Sequence, residues 1–568
     1  MEPRVWRVDV ANKTVTTQEI PPRWERLGGR GLVARILLDE VPPACDALGL
    51  SNKLLWAPGL LVGHMLSSCD RISIGGKSPL TGGVKESNAG GSTGLKMARL
   101  GIKALILEAE RPSEGWWLLH ISPQGGRLEP ADDLAGLGVY QAASTLLERF
   151  GARVGLAIIG PSGEMQLAAA GVLNLDKDRE PSRINGRGGL GALMGARRLK
   201  AVVIDDEGGE KPFFADPSLY AATQKLLTRE LMAHPQTAVY RDYGTASLVA
   251  MVNGFGGLPT RGFSSGHFEN AEKISGETMR DLLLSRGQPS ETTHACMPGC
   301  TIRCSNRFGD ADGNKIVAPL EYETIGLVGS NLGFDSLDTI ARLNWEMNDL
   351  GLDTIETGAA LGVAAQAGHL SLGDFDGVMA LLDEIRKGTP LGRVLGNGAA
   401  TTGRALGVQR VPAVKGQAMP AYDPRAIKGT GVTYATSPQG ADHTCGLTVR
   451  AKVDHLDPKG QAELSRTTQI NMAGYDTLGA CLFAGFGFAK APGSIRDLLN
   501  ARYGWSVGDD ILQELGRETL TLERAFNRLA GFGPQDDRIP EWMTKEPLPP
   551  HNSVFDVPDE DLDGLLEW

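Results

Sequence analysis

His294-Ala295-Cys296-Met297-Pro298-Gly299-Cys300-Thr301-Ile302-Arg303-Cys304 places three of the chain's seven cysteines in one short stretch, spaced C-x3-C-x3-C. Such a loop can direct three sulfurs toward a common metal centre. Neither zinc nor iron is satisfied by three sulfurs, so we expect a fourth ligand, and the best remaining candidate is Cys481. A compact triad with a remote fourth cysteine fits a [4Fe–4S] cluster better than zinc, whose structural sites more often pair two C-x2-4-C knuckles.

Other interpretations of this triad stay open. Free cysteine packs as a small apolar residue, so three buried, inert thiols are one alternative, and a zinc site is the other. A radical-SAM cluster is set aside, because its spacing is C-x3-C-x2-C and its triad would lie early in a βα barrel, not in mid-chain.

Length and composition bound the class of protein. With 568 residues, a formal net charge of −11 and a pI near 5.5, we expect several domains and no nucleic-acid partner. No run approaches ~18 apolar residues and the first residues show no signal-peptide core, which predicts a cytoplasmic protein without a membrane span. The odd number of cysteines predicts no disulfide framework, so Cys45, Cys69 and Cys445 are expected to be ordinary thiols.

Glycine is abundant, and its 74 residues gather in packets that let backbone N–H groups approach an anion. Ser87-Asn88-Ala89-Gly90-Gly91-Ser92-Thr93-Gly94 opens a predicted helix and, with Arg71 and Lys85 upstream, predicts a phosphate seat. Arg183-Ile184-Asn185-Gly186-Arg187-Gly188-Gly189-Leu190-Gly191 contains G-x-G-x-x-G, but the charged residues 176–181 before it cannot form the apolar strand of a dinucleotide fold. We interpret it as a second backbone cradle, for another phosphate.

Taken in order, the chain predicts an α+β fold in three parts. Residues 1–208 should form a β-rich domain, with an opening hairpin and one helix at 138–150. Residues 209–408 should form a helical domain with the cysteine triad, in which Gly351 ends a helix at 336–350 and Asp353-Thr354-Ile355-Glu356 makes a capping box. Residues 409–568 should form a second helical domain, with His443 and Cys481. The one internal repeat we find is a short echo between residues 348–353 and 476–481.

These motifs, with Leu27-Gly28-Gly29-Arg30-Gly31-Leu32 and Lys77-Ser78-Pro79-Leu80-Thr81-Gly82-Gly83, resemble the tungsten-containing aldehyde:ferredoxin oxidoreductase family nearly end to end. The resemblance implies that the β-rich domain is the base for two pyranopterin dithiolene molecules, whose sulfurs hold one tungsten (or molybdenum) atom. Two mainly α-helical domains would cover this site.

The resemblance also implies a role for each matched residue. The phosphates of the pterins, and the Mg²⁺ that bridges them, would be bound by Arg71, Asn88, Gly90, Gly91 and Arg183, with Asn88 and Ile184 using their backbone carbonyls on the ion. One pterin would be held by Asn348, Leu352 and Asp353, and the other by Asp476 and Ala480. Further cofactor-binding positions would be Ala89, Gly186, Arg187, Gly188, Gly351 and Gly479. The [4Fe–4S] cluster would be ligated by Cys296, Cys300, Cys304 and Cys481.

The sequence departs from the family pattern in ways that bear on its partners. The usual triad spacing is C-x2-C-x3-C, Asn348 stands where Asp is common, and Ala480 stands where Leu is common. The Glu-x-x-His iron site of some members is replaced by Arg342-Leu343-Asn344-Trp345. The chain therefore looks more like the bacterial branch, whose catalytic subunits work with separate iron–sulfur and flavin subunits, so we expect an oligomer or hetero-complex.

The resemblance predicts oxidation of a small aldehyde to a carboxylic acid, with electrons passing through the cluster to a ferredoxin or a ferredoxin-like iron–sulfur subunit. An imidazole and a carboxylate would polarise the carbonyl and move protons, and our candidates are His443 with Glu323, or else Glu321. The structural alternatives are a helix-end salt bridge for either glutamate and a surface loop for His443. Two other functions stay open: a low-potential tungsten reductase subunit of an aromatic acyl-CoA-reducing complex, and an iron–sulfur scaffold protein without tungsten.

Overall fold

The fold begins with the predicted hairpin, in which apolar residues of Arg4-Val5-Trp6-Arg7-Val8-Asp9 alternate with polar ones. The computed structural model describes residues 2–108, 112, 114–210 and 212–568. Its first sheet has the order β2-β1-β6-β3-β4-β5. The elements of this half are β1 (Arg4–Asp9), β2 (Thr14–Gln18), α1 (Gly29–Glu40), β3 (Leu54–Pro58), β4 (Ile72–Lys77), β5 (Val84–Ala89), α2 (Thr93–Arg99) and β6 (Ile102–Glu108).

A second six-stranded sheet repeats the topology of the first. Its elements are β7 (Trp117–Ser122), β8 (Gly125–Pro130), α3 (Val139–Phe150), β9 (Gly155–Ile158), α4 (Pro161–Glu164), β10 (Val172–Leu175), β11 (Pro181–Asn185), α5 (Leu190–Ala196) and β12 (Leu199–Ile204). Its order, β8-β7-β12-β9-β10-β11, matches the first sheet strand for strand, including the one parallel pair in each. The sequence predicted no repeat here, and the structure corrects that expectation.

The two sheets share an apolar core, which explains why most of their strands are buried. Trp6, Trp56 and Leu105 of the first sheet lie in one cluster with Leu119 and Val202 of the second. Strands buried on both faces lose the alternation of polar and apolar residues, so Leu54–Pro58 and Leu199–Ile204 are apolar throughout or nearly so.

The second glycine packet follows a strand, but not one of a dinucleotide-binding unit. β11 begins at Pro181, after the charged turn, and pairs antiparallel with β10, with Leu173 opposite Ile184. A dinucleotide-binding motif needs a parallel β-α-β unit, so the structure agrees with the rejection of that motif.

The remainder of the chain is mainly helical. Its first part contains α6 (Pro217–Ala233), α7 (Pro235–Tyr243), α8 (Leu248–Gly254), α9 (Gly276–Arg286), β13 (Glu291–His294), β14 (Ser305–Gly309), β15 (Lys315–Val317), α10 (Tyr322–Thr324), α11 (Leu337–Leu350), α12 (Thr354–Gln366), α13 (Phe375–Lys387), α14 (Pro390–Gly396) and α15 (Ala399–Leu406). Its second part contains β16 (Ala413–Val414), β17 (Gln417–Ala418), α16 (Lys428–Thr436), α17 (Gln461–Leu478), α18 (Gly485–Phe488), α19 (Ser494–Tyr503), α20 (Ile511–Leu529), α21 (Glu541–Lys545) and α22 (Asp559–Leu562). Short 3₁₀ turns lie at Pro22–Trp24, Asp132–Leu134, Thr245–Ser247, Ala271–Ile274, Ser330–Leu332, His443–Cys445, Leu482–Ala484 and Pro534–Asp536, and a π turn at Ile325–Gly329.

Capping residues set the helix limits near the site. Gly351 ends α11 in the left-handed region, with a φ of +79°, and the carboxylate of Asp353 caps α12 by accepting from Ile355 N at 3.0 Å. The predicted capping box is wrong in its second half. Glu356 accepts instead from the backbone N–H groups of Ala399 and Ala418, each at 2.9 Å.

The predicted fold class, a β-rich domain followed by mainly helical ones, is confirmed. One apolar cluster contains residues from both sides of position 408, such as Leu361 and Tyr434, so the boundary there stays a prediction. Among the helices of the described ranges, none combines the length and hydropathy needed to cross a bilayer.

Candidate active site and cofactor-binding cavity

Two helices end on the β-rich domain at equivalent places. Gly351 ends α11 and Gly479 ends α17, both in the left-handed region. The carbonyl of Gly351 accepts from Gly171 N at 2.9 Å, and that of Gly479 accepts from Arg71 N at 3.1 Å. Gly171 and Arg71 precede the equivalent strands β10 and β4, so the short echo in the sequence marks two matching docking points, one on each half of the domain.

The docking requires backbone-to-backbone contact at both points. A side-chain carbon on Gly59, just after β3, would lie 2.1 Å from Gly479 N. One on Gly160, close behind β9, would lie 2.3 Å from the carbonyl oxygen of Leu350. Only glycine fits where the two backbones meet this closely, which explains part of the glycine excess.

The two glycine cradles are brought together where the edge strands of the two sheets meet. The side-chain amide of Asn185, at the end of β11, donates to the carbonyl of Ser87 on β5 at 2.5 Å. Asn174 holds that amide in place by donating to its oxygen at 2.7 Å. The residues that follow β5 and β11 therefore open into the same space.

That space is a cavity of about 320 Å³ between the β-rich domain and the helices. Most of the predicted site residues line it: Arg71, Asn88, Ala89, Gly90, Arg183, Ile184, Gly186, Arg187, Asn348, Leu352, Asp353, Cys296, Cys304, Cys481, Glu321, Glu323 and His443. The other predicted residues are not in its lining: Gly91, Gly188, Gly351, Asp476, Gly479, Ala480 and Cys300.

Arg183 has donors that the protein leaves unused. Its Nη2 donates to Ser305 Oγ at 2.6 Å, and its Nη1 is 3.7 Å from Glu321 Oε1. Its Nε is buried and has no hydrogen-bond partner within the protein. A buried guanidinium N–H without a partner is costly, so this group is suited to an anionic ligand.

Arg187 instead ties the β-rich domain to the helical part. Its terminal nitrogens donate to the backbone carbonyls of Ala441 at 2.9 Å and Ala418 at 2.6 Å. Its Nε lies 3.3 Å from Asp353 Oδ2, yet neither atom makes a hydrogen bond. The two atoms therefore form a buried ion pair behind the cavity wall.

Arg71, Asn88 and Asp476 form a chain of contacts from the cavity into the core. Arg71 Nη2 donates to the backbone carbonyl of Asn88 at 3.0 Å, and Asn88 Nδ2 donates to Asp476 Oδ1 at 2.8 Å. Asp476 Oδ2 lies 3.3 Å from Arg30, which is buried. The Asn88 carbonyl, predicted to bind Mg²⁺, thus accepts a hydrogen bond from Arg71.

The four predicted cluster cysteines come together from two distant segments. Ser68 connects them, because its Oγ is 3.4 Å from Cys300 Sγ and its carbonyl accepts from Cys481 N at 2.7 Å. Burial raises the pKa of the Cys296 thiol to about 12, and Cys300 adds repulsion. Burial likewise raises the pKa of Cys304 and of Cys481. A metal that binds these sulfurs must displace their protons.

His443 and Glu323 face each other across the cavity wall. His443 Nε2 is 3.4 Å from Glu323 Oε1, an oxygen that makes no hydrogen bond. The other oxygen of Glu323 accepts from Ala421 N at 2.8 Å, which fixes the carboxylate. Glu321 points elsewhere: Thr245 donates to it, and burial raises its pKa against the effect of the nearby Arg183.

Family models match almost the whole chain. The model of the aldehyde ferredoxin oxidoreductase N-terminal domain matches residues 5–206, and that of its domains 2 and 3 matches residues 222–567. The chain belongs to the aldehyde ferredoxin oxidoreductase family. It is 31% identical to the tungsten-containing aldehyde ferredoxin oxidoreductase of Thermococcus kodakarensis, over 94% of this chain and 89% of that protein.

More distant relatives of this aldehyde ferredoxin oxidoreductase family member have other names. It is 27% identical to an aliphatic sulfonate oxidoreductase, WOR-like subunit, of Pyrococcus furiosus, over 92% of this chain and 85% of that one. Its fold is similar to the active site complex BamBC of benzoyl coenzyme A reductase, with a TM-score of 0.78, 19% identity, and coverage of 95% of this chain and 90% of that one. At that identity the likeness concerns the fold alone.

The family implies a tungsten pterin cofactor, and the cavity residues fit one. Two phosphate-bearing ligands need cationic side chains and open backbone, and the cavity supplies Arg71 and Arg183 beside Gly90 and Gly186. The unpartnered Nε of Arg183 marks a place for an added acceptor. The predicted role of each residue toward the pterins and Mg²⁺ stays a prediction.

The cysteine sulfurs of the described residues are not gathered as closely as a single zinc ion would require. Zinc holds sulfurs about 2.3 Å away, so its ligands must lie within about 4.6 Å of one another. In the described part of the chain, the one group of three or more potential ligands within 4.8 Å of each other is Asp176, Asp178 and His294, without any cysteine. That group is already engaged in hydrogen bonds and ion pairs, since Arg307 lies 2.8 Å from Asp178 and His294 Nε2 lies 2.7 Å from it.

Sequence reasoning misplaced Lys85 and missed its partner. Lys85, predicted to contribute to a phosphate seat, is buried and donates to Asp442 at 2.6 Å. Although burial opposes it, Lys85 and Arg187 hold the pKa of Asp442 below its ordinary range. The position of Asp442 directly before His443 was the one signal in the sequence.

Proposed function

We propose that this aldehyde ferredoxin oxidoreductase family member oxidises an aldehyde to the carboxylic acid and passes the two electrons to a ferredoxin or an iron–sulfur partner subunit. The observation that carries the proposal is the approach of His443 Nε2 to Glu323 Oε1, 3.4 Å apart, on the wall of the arginine- and glycine-lined cavity. A carboxylate oxygen without another hydrogen bond, placed beside an imidazole, is the kind of pair that general acid–base catalysis uses.

The residues that would hold the cofactor are those that line the cavity. Arg71 and Arg183 would bind the phosphates, and Asn348 with Leu352 and Asp353 would bind one pterin. When bound, tungsten bis-pyranopterin supplies two-electron oxidation with oxygen transfer, chemistry that amino-acid side chains cannot provide. The protein's contribution is to bind and orient the aldehyde and to manage its protons.

Proton handling falls to the His443–Glu323 pair. Oxidation of an aldehyde to an acid consumes one water and releases two protons with two electrons, so a group that accepts protons is needed near the substrate. Glu323 Oε1 is free to accept a proton because Ala421 N binds the other oxygen. His443 Nε2 can donate a hydrogen bond to the substrate carbonyl or share the proton with Glu323.

The experiment combines metal analysis with a panel of aldehydes. Purified protein should contain tungsten or molybdenum and about four iron atoms per chain, and should reduce benzyl viologen when an aldehyde is added. Cys481→Ala should lose iron, and Cys45→Ala, a half-buried thiol outside the cavity, is its matched control. Iron without tungsten or molybdenum would refute the proposal in favour of an iron–sulfur scaffold.

A second candidate is a low-potential reductase subunit, favoured by the fold likeness to the benzoyl coenzyme A reductase complex. It would use the same cavity to reduce a substrate instead of oxidising one. Reoxidation of the reduced protein by an aromatic acyl-CoA, without aldehyde-dependent viologen reduction, would favour this function over aldehyde oxidation.

A further inference from the structure

The loop between β3 and β4 joins the two segments that carry the cluster cysteines. Within it, Ser68 touches both: its Oγ is 3.4 Å from Cys300 Sγ, and its backbone carbonyl accepts from Cys481 N at 2.7 Å. Ser68 is buried, with 1% of its surface exposed, and its φ is +62°. A serine in this left-handed conformation is strained relative to glycine.

The neighbouring Ser67 provides an internal comparison. It is equally buried, at 2% exposure, and its Oγ is 2.7 Å from Thr301 Oγ1 and accepts from Thr301 N at 3.1 Å. Ser67 therefore supports the backbone between two of the cysteines without contacting a sulfur. The two adjacent hydroxyls are 3.4 Å apart, and that of Ser68, but not that of Ser67, also contacts a thiol.

We propose that the Ser68 hydroxyl donates a hydrogen bond to the sulfur of Cys300 and thereby sets the reduction potential of the cluster. This inference rests on the proposed function, because it requires that the four cysteines hold a [4Fe–4S] cluster. A sulfur bound to iron carries no proton and can only accept, so the hydroxyl is the donor. Hydrogen bonds to cluster sulfurs withdraw negative charge and raise the potential at which an electron is added.

The direction of the effect follows from charge. A reduced cluster has one more negative charge than the oxidised one, and a buried donor stabilises the more negative state. Removing the hydroxyl should move the midpoint potential to a more negative value. The bond from Cys481 N to the Ser68 carbonyl is made by the backbone, so it survives a change of side chain.

The test is a redox titration of the cluster in the full-length protein, carried out under argon with dithionite and mediators. Electron paramagnetic resonance measures the fraction of reduced cluster at each potential. Ser68→Gly removes the hydroxyl and suits the positive φ, so it avoids the strain that alanine would add. Ser67→Ala is the control: it removes the neighbouring hydroxyl, 3.4 Å from Ser68 Oγ, and leaves the contact between Ser68 and Cys300 in place. We expect Ser68→Gly to have a more negative midpoint potential and, because its Fe–S(Cys) bond is stronger, an Fe–S(Cys) stretch at higher frequency in the resonance Raman spectrum. Ser67→Ala should have the wild-type values of both. The iron content of all three proteins should be equal.

Three results would overturn the role of Ser68. One is an intact cluster whose midpoint is the same in Ser68→Gly and the wild type. Another is an equal shift in Ser67→Ala, which would mean a general disturbance of the loop. The third is loss of iron from Ser68→Gly and also from Ser68→Ala, which would make the residue a structural support. Absence of iron and of a cluster signal from the wild type would instead overturn the proposed function itself.

Discussion

Glu323→Gln tests the centre of the proposed chemistry. The amide keeps the size of the side chain, and its oxygen can still accept from Ala421 N, which binds the carboxylate at 2.8 Å. The change removes the basic oxygen that lies 3.4 Å from His443 Nε2. The fold and the cofactor cavity should therefore be preserved while proton transfer is lost.

The expected loss follows from the contribution of a positioned acid or base, about 10²–10⁴ in rate. At about 1.4 kcal/mol for each factor of ten, this is roughly 3–5 kcal/mol of transition-state stabilisation. Because Glu323 is expected to act on the reacting atoms and not to hold the cofactor, kcat should fall while KM and the tungsten content stay near their wild-type values.

The assay is aldehyde-dependent reduction of benzyl viologen, with the metal content of each preparation measured alongside. Glu321→Gln is the matched control, two residues away, since Glu321 contacts Thr245 and Arg183 and not His443. We expect it to retain activity within about a factor of ten. If Glu321→Gln lost the larger factor and Glu323→Gln remained active, the assignment of the base from the 3.4 Å contact would be refuted.

Three further changes test the packing around the site. Glu523→Gln removes the charge that makes two hydrogen bonds, of 2.7 and 2.8 Å, to the buried Arg30. We expect it to lower the free energy of unfolding by about 3–5 kcal/mol, and with it the midpoint temperature of unfolding in calorimetry. An unchanged midpoint temperature would contradict this. Gly90→Ala places a methyl 3.0 Å from Cys296 Sγ and should lower the iron bound per chain, whereas full iron content would show that the loop yields. Burial raises the pKa of Asp70 to about 7, so the folded state holds a proton that the unfolded chain releases above about pH 4. The free energy of unfolding should therefore fall by up to about 4 kcal/mol as the pH rises from about 4 to 7. Thermal unfolding at several pH values should show a smaller fall in Asp70→Asn.

Local patterns predicted much of the fold. The opening hairpin, the helix Leu337–Leu350 and the role of Asp353 as a cap all depend on residues close together in sequence, and the structure contains each of them. The spacing of the cysteine triad predicted a metal loop, which stays a prediction; the hydrogen bonds of Ser68 bring Cys481 to the same loop.

The remainder depended on contacts between distant parts of the chain. Whether Glu321 or Glu323 faces His443 is decided by the short helix at Tyr322–Thr324, which turns neighbouring side chains in different directions. The ion pair between Lys85 and Asp442, which are 357 residues apart, leaves no pattern in the sequence around either residue. The sequence also did not reveal that the two sheets have the same topology. Two sheets can share a strand order when only the apolar character of their strands is alike and the individual residues differ.

The two halves of the β-rich domain are alike in strand order, but they are not chemically equivalent. The first half meets the thiols through Ser68 and Gly90, whereas the packet of the second half, with Arg187, faces Asp353 and the helical part. A cofactor seated between the two halves would therefore meet different side chains on its two sides, so the two ends of such a cofactor would not be interchangeable.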